Sequence, residues 1–174
     1  MEGLVRSMKC HLEERIQAKV SVHTPVFAWL VELCADWLTK FNRGEDGSTP
    51  FERLKGRAYN GEVLDFGTKV WHKVPGKVQG GDTRPRWLEG VWLGVRFNTN
   101  EHVIGLPDGR VVRARNVAAW PEETRWNKDA VLGVKGVPWE PTGTVRRRPE
   151  EDQEVPKDLQ ADVCLLYTSP SPRD

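Results

Sequence analysis

The residues of this sequence best suited to chemistry are cations set among aromatics. Lys69, His72, Lys73, Lys77, Arg84, Arg86, Arg96, Arg110, Arg113 and Arg115 alternate with Trp71, Trp87, Trp92 and Phe97. A cation can neutralise a phosphate and release its counterion, and an indole offers a flat face on which a base can stack. The pattern suits contact with nucleic acid. It also suits a plain fold in which the tryptophans are core and the cations a solvated face. A second basic run, Arg146-Arg147-Arg148, is followed by Glu150, Glu151 and Asp152, which weaken its field and favour a solvated linker.

Other chemistries find no footing in the sequence. It has no phosphate-binding glycine loop, no nucleophile elbow and no helical zinc-protease motif. The four histidines, His11, His23, His72 and His102, lie apart. Asp36, Asp46, Asp65 and Asp82 do not form the paired carboxylates of a two-metal site. Cys10, Cys34 and Cys164 share no metal-ligand spacing and are expected to be inert thiols of a reducing compartment. No stretch approaches the ~20 apolar residues that span a bilayer, and the N-terminus lacks the apolar run of a signal peptide. With 26 Lys and Arg against 25 Asp and Glu, the net charge is +1, so any basic surface must be local. No complete active site and no cofactor are expected in this chain.

The elements that would position the cations follow from periodicity. Leu4, Met8, Leu12 and Ile16 recur at steps of four and mark one helix. Thr24-Pro25 opens a second, whose run Val26, Phe27, Trp29, Leu30, Leu33, Cys34, Trp37, Leu38, Phe41 has a wide apolar arc, closed by Asn42-Arg43-Gly44. These helices cannot bury such surfaces on each other alone. The spacing therefore predicts exposed apolar faces and a chain that begins inside a domain. Thr49-Pro50 caps a short helix over 50–55, ended by Gly56. The period then changes. Strands are expected over 69–74, 91–95, 102–106 and 110–117, with a loop over 75–86 and a hairpin at Pro107-Asp108-Gly109. Short strands without crossovers suggest a small antiparallel barrel or curled sheet. Beyond Trp120 the period is lost, and 121–163 is expected to be a disordered tail.

A family resemblance enters at Thr49-Pro50-Phe51-Glu52-Arg53-Leu54-Lys55-Gly56-Arg57. This segment is similar to the one that follows the integrase core in the Pol polyproteins of copia-type retrotransposons. Phe66-Gly67, then Trp87-Leu88-Glu89-Gly90-Val91-Trp92-Leu93-Gly94-Val95, then Val103-Ile104-Gly105 and Arg110 through Val117 resemble later family motifs in the same order. The helix over 27–42 stands in the place of a family helix. Asn116 departs from the usual Asp, and Trp92 and Val95 from the usual Phe and Tyr. The resemblance spans about residues 1–120. It implies the closing helices of an RNase H-like core, whose catalytic carboxylates and Mg²⁺ belong upstream; Glu2 is not given that role. Cys164–Asp174 resembles the in-frame translation of a sequencing-library adapter and is set aside, which implies that the natural C-terminus lies elsewhere.

The expected fold is thus an α+β fragment: helices of a truncated integrase core over 1–58, a small antiparallel β-barrel or SH3-like module over 59–120, and a tail over 121–163 followed by the adapter-like 164–174. The expected function is a contribution to DNA binding and integration without catalysis, in the nucleus or cytoplasm of a host cell. Its candidate DNA-binding residues are Lys69, Lys73, Arg96, Arg110, Arg113 and Arg115. DNA and the missing N-terminal part of the core are the expected partners. A protein-interaction barrel or a decayed retroelement relic are the alternatives. Both Trp71 and Trp92 are expected in the core.

Overall fold

A computed structural model describes residues 1–74 and 85–143. Most of the loop expected over 75–86, the Arg146–Arg148 run, the later part of the expected tail and the adapter-like segment lie outside the described residues.

The first helix, α1, runs Glu2–Ile16. Its stripe behaves as the spacing requires: Leu12 and Ile16 are buried, and Leu4 and Met8 pack against the core. It stops at Gln17, whose backbone is left-handed with φ 51°. Helix α2, Pro25–Phe41, begins on a proline whose missing N–H would have had no helical partner. Val26, Trp29, Leu30, Leu33 and Cys34 form its buried face. Helix α3, Pro50–Lys55, is held by a capping box: Glu52 N donates to Thr49 Oγ1 at 3.1 Å, and Thr49 N donates to Glu52 Oε2 at 2.7 Å.

The strands are β1 (Lys69–Lys73), β2 (Trp87–Val95), β3 (His102–Gly105), β4 (Val111–Ala114) and β5 (Val117–Ala119). They form one open antiparallel sheet in the order β4-β3-β2-β1-β5. The fold is α+β. The edges β4 and β5 do not pair among the described residues, so the sheet is not closed by a hydrogen-bonded ladder. The β3–β4 hairpin turns at Pro107-Asp108-Gly109, where the φ of +92° at Gly109 suits a residue without Cβ. The single strand expected over 110–117 is two strands. The chain bends at Arg115-Asn116, and β5 leaves β4 to pair with β1 at the far side of the sheet. That pairing gives the outer edge of β1 partners for its backbone groups, which a straight strand would have left bare.

Register assigns the faces, because directly opposed residues share one. Val70, His72, Trp92, His102, Ile104 and Ala114 lie on one face, and all are buried. On the other face, Val91, Val103 and Val111 are buried, and the bulge residue Leu93 is buried beside them. Leu33 and Trp29 of α2 line a groove with Leu93 and Val103. The indole of Trp29 donates from Nε1 to Gly136 O at 2.8 Å. At Gly105, a Cβ would stand 2.8 Å from Val134 Cγ2, so the bare backbone lets the segment after the last helix close onto the sheet.

Three expectations need correction. The apolar faces of α1 and α2 are not left exposed, because one hydrophobic cluster joins them to the sheet. For the same reason, the division expected at residue 58 marks no break in packing. The tail expected from residue 121 is structured as far as residue 143. It contains a 3-10 turn at Glu122–Thr124 and helix α4, Lys128–Leu132, capped by Asn127 Oδ1 accepting from Ala130 N at 3.0 Å. Val131, Val134 and Val137 recur at steps of three and are buried, which supplies the apolar anchor that the segment's polarity concealed.

Candidate nucleic-acid interface

The alternation along β1 decides where its side chains go. Val70 and His72 turn inward, while Lys69, Trp71 and Lys73 turn outward. Trp71 is therefore not core; it is 39% exposed. It stacks on Trp120, with ring centroids 4.8 Å apart and planes 22° from parallel. Trp120 continues β5: its N donates to Lys69 O at 3.1 Å. On the other flank Trp87, 43% exposed, stands opposite Lys73 across the β1–β2 ladder. Three indoles and two ammonium groups thus share the outer face of β1, β2 and the extension of β5.

The two lysines differ. Lys69 Nζ sits 3.9 Å from the Trp120 ring centre and 3.4 Å from Glu89 Oε2, and its side chain is only 15% exposed. It is fixed in place and braces Trp120. Lys73 has no ion-pair or hydrogen-bond partner for its side chain among the described residues.

The four candidate arginines lie elsewhere, near the hairpin ends and the β4 edge. Arg96 and Arg113 line one small pocket with Trp29, Val103, Val111 and Pro141. Arg96 reaches α2, donating from Nη1 to Glu32 Oε1 at 3.1 Å. Arg115, with a side chain 86% exposed, lies 3.4 Å from Glu101. Arg110 is tied to the turn: its Nε and Nη2 each lie 2.7 Å from Asp108 Oδ2. The backbone amide of Arg110 and then its guanidinium hold the Asp108 carboxyl below the usual carboxylate range. Arg113 is exposed and has no side-chain partner among the described residues. The six candidates therefore do not form one patch. Lys69 and Lys73 belong to the tryptophan face, Arg96, Arg113 and Arg115 to the hairpin ends and β4 edge, and Arg110 to a self-contained turn.

Sequence reasoning placed Trp87 among the aromatics of the patch but gave no role to Trp120. The signal for it was the strand parity of Val117–Ala119 carried one residue further. Trp139, 78% exposed, also went unremarked.

The inner face is packed core where it carries Val70, His72, Trp92 and His102. Trp92 Nε1 donates to His102 Nδ1 at 3.0 Å. Burial pushes the pKa of His102 down, with the Glu62 charge acting weakly the other way. Burial likewise lowers His72, against a backbone hydrogen bond at Leu88. Both are therefore neutral core side chains near neutral pH. Burial raises the Cys34 thiol, which lies in the core and is unreactive there.

Among the described residues no three His, Cys, Asp or Glu side chains converge to hold a metal ion. No described helix is long and apolar enough to cross a membrane. Searches against protein-family models, curated proteins and solved structures found no match to this chain.

Proposed function

We propose that this chain is the DNA-holding part of a copia-type retrotransposon integrase, which contributes to integration but performs no chemistry on DNA itself. The observation that carries the reading is the outer face of β1, where Lys73 and Lys69 stand among Trp71, Trp87 and Trp120. Cations with exposed indoles suit phosphate contacts together with stacking. In this reading the helices α1 and α2 derive from an RNase H-like core, and the strands form an SH3-like module. The return of β5 onto β1, which brings the last strand beside the first, is compatible with that module. The catalytic carboxylates and their Mg²⁺ belong to the upstream part of the parent enzyme. That part is the natural partner of this chain, in the nucleus or cytoplasm of a host cell.

Fluorescence anisotropy with a labelled oligonucleotide, titrated at several salt concentrations, tests the reading. Affinity should fall steeply as salt rises, because released counterions drive phosphate binding. Absence of affinity even at low salt would remove the DNA-holding role. A second reading, a protein-interaction module, takes Trp139, 78% exposed, as a contact for a partner. Salt-insensitive capture of a peptide, with no DNA binding, would decide for it.

A further inference from the structure

We propose that the outer face of β1, β2 and β5 takes unpaired nucleobases, so that it holds single-stranded DNA in preference to an intact duplex. This rests on the nucleic-acid reading above and names its substrate.

The argument begins with what an exposed indole can meet. In a duplex the faces of the bases are covered by their neighbours, and only base edges and the sugar-phosphate backbone are offered to a protein. A flat strand face bearing tryptophans gains little from such a surface. An unpaired base presents its whole π-face, and stacking on an aromatic side chain is tolerant of sequence. Trp71 and Trp87 are both more than a third exposed, and both project from the same side of the sheet. Trp71 lies opposite Glu89, two residues along β2 from Trp87, which places the two indoles at diagonal positions of the ladder. Such positions lie within reach of successive bases on one strand.

The neighbours of these indoles fit the same occupant. Trp120 stacks against Trp71 and limits its rotation, and Lys69 braces Trp120 from 3.9 Å. An indole held in this way loses little freedom when a base settles on it. Lys73 stands directly opposite Trp87 and has no side-chain partner among the described residues, so it can meet the phosphate beside a base stacked on Trp87. Glu89, which stands opposite Trp71, is engaged by Lys69 at 3.4 Å, which offsets its charge on this face. A proline-rich peptide also packs on exposed aromatics. Lys73, beside Trp87 and without a side-chain partner among the described residues, favours an anionic strand over it.

The test compares four probes on the full chain at one low salt concentration: a labelled oligothymidine strand, an abasic strand of equal length, a hairpin-capped duplex of equal phosphate count and a proline-rich peptide. The abasic strand has the phosphates without the bases. The oligothymidine should bind about tenfold more tightly than the abasic strand and the capped duplex. Trp87→Ala should remove about that factor for the oligothymidine and leave the abasic strand unchanged, and Trp87→Phe should restore most of it. The wild-type comparison needs no variant, so a misfolded Trp87→Ala would not spare the proposal. Equal affinity for all three DNA probes would overturn stacking while the phosphate-holding reading stands. Binding of none of them would overturn both, and capture of the peptide alone would overturn both in favour of an interaction module.

Discussion

Trp92 and Trp71 lie on neighbouring strands of one sheet and are treated in opposite ways. Trp92 points to the inner face, is 1% exposed and satisfies its indole N–H on His102. Trp71 points to the outer face, stacks on Trp120 and keeps much of its surface in solvent. A strand alternates its side chains, so the parity of a position rather than its residue type decides which tryptophan is core. The division is therefore between positions: the inner face is core at Val70, Trp92 and Ile104, whereas the outer face is core at Val91, Val103 and Val111 but open at Trp71 and Trp87, where it can meet a partner.

The largest expected effects test that division. Trp92→Ala should destabilise the protein by about 3–5 kcal/mol, because it removes a buried aromatic and leaves a cavity and an unpaired His102 Nδ1. Trp71→Ala should cost only about 1 kcal/mol, roughly the worth of its stack on Trp120. Urea denaturation of both variants measures the difference. Equal losses would mean that the outer face is structural and would break the comparison.

Acid should act through the inner face, with a smaller effect. His72 and His102 are both held below their ordinary pKa by burial. The unfolded chain therefore binds protons more readily than the folded one, and stability rises with pH across that interval. It should be greatest above the ordinary histidine pKa of about 6.5 and should decline as pH falls from there toward the lowered folded values. Protonation of His102 at Nδ1 would also end its acceptance of the Trp92 N–H. The urea midpoint should fall between pH 7.5 and 5, and His102→Gln should reduce that fall. A midpoint independent of pH, with the fold intact, would show that the histidines are not buried in solution.

The helices and hairpin were legible in the sequence because their signals are local. The four-residue steps of α1, the proline opening α2, the Thr49–Glu52 capping box and the turn at Asp108-Gly109 each specify structure within a few positions. What covered the helices was not legible, since burial of Trp29 and Leu33 against Leu93 and Val103 joins segments some sixty to seventy residues apart in sequence. The bend at Arg115-Asn116 was hidden for a related reason. A strand of uniform propensity gives no local cue that its second half will pair with β1. Trp71 was misassigned because Lys69–Val74 alternates, and alternation fixes two faces without saying which is inner. Val70 and His72 are the inward residues of β1, and His72 takes the inward place that residue type alone would have given to Trp71. The six candidate cations were legible as residues but not as sets, because charge in sequence carries no record of the carboxylates that fold beside it.

Those carboxylates give the smallest and most discriminating prediction. A cation already paired must leave its partner before it can meet a phosphate, so pairing lowers its share of binding. Arg110 is held by Asp108 through two nitrogens at 2.7 Å, whereas Lys73 is unpaired among the described residues and lies beside the exposed indoles. Neither replacement by Ala should change stability by more than about 0.5 kcal/mol, since both side chains lie outside the core. Their effects on DNA should differ. Lys73→Ala should flatten the dependence of log affinity on log salt by about one unit, the signature of one lost phosphate contact, and weaken all DNA sequences alike. Arg110→Ala should leave the slope unchanged. Salt titrations of the two variants in parallel decide the matter. If Arg110→Ala flattens the slope and Lys73→Ala does not, the interface lies at the β3–β4 hairpin, and the outer face of β1 loses its role.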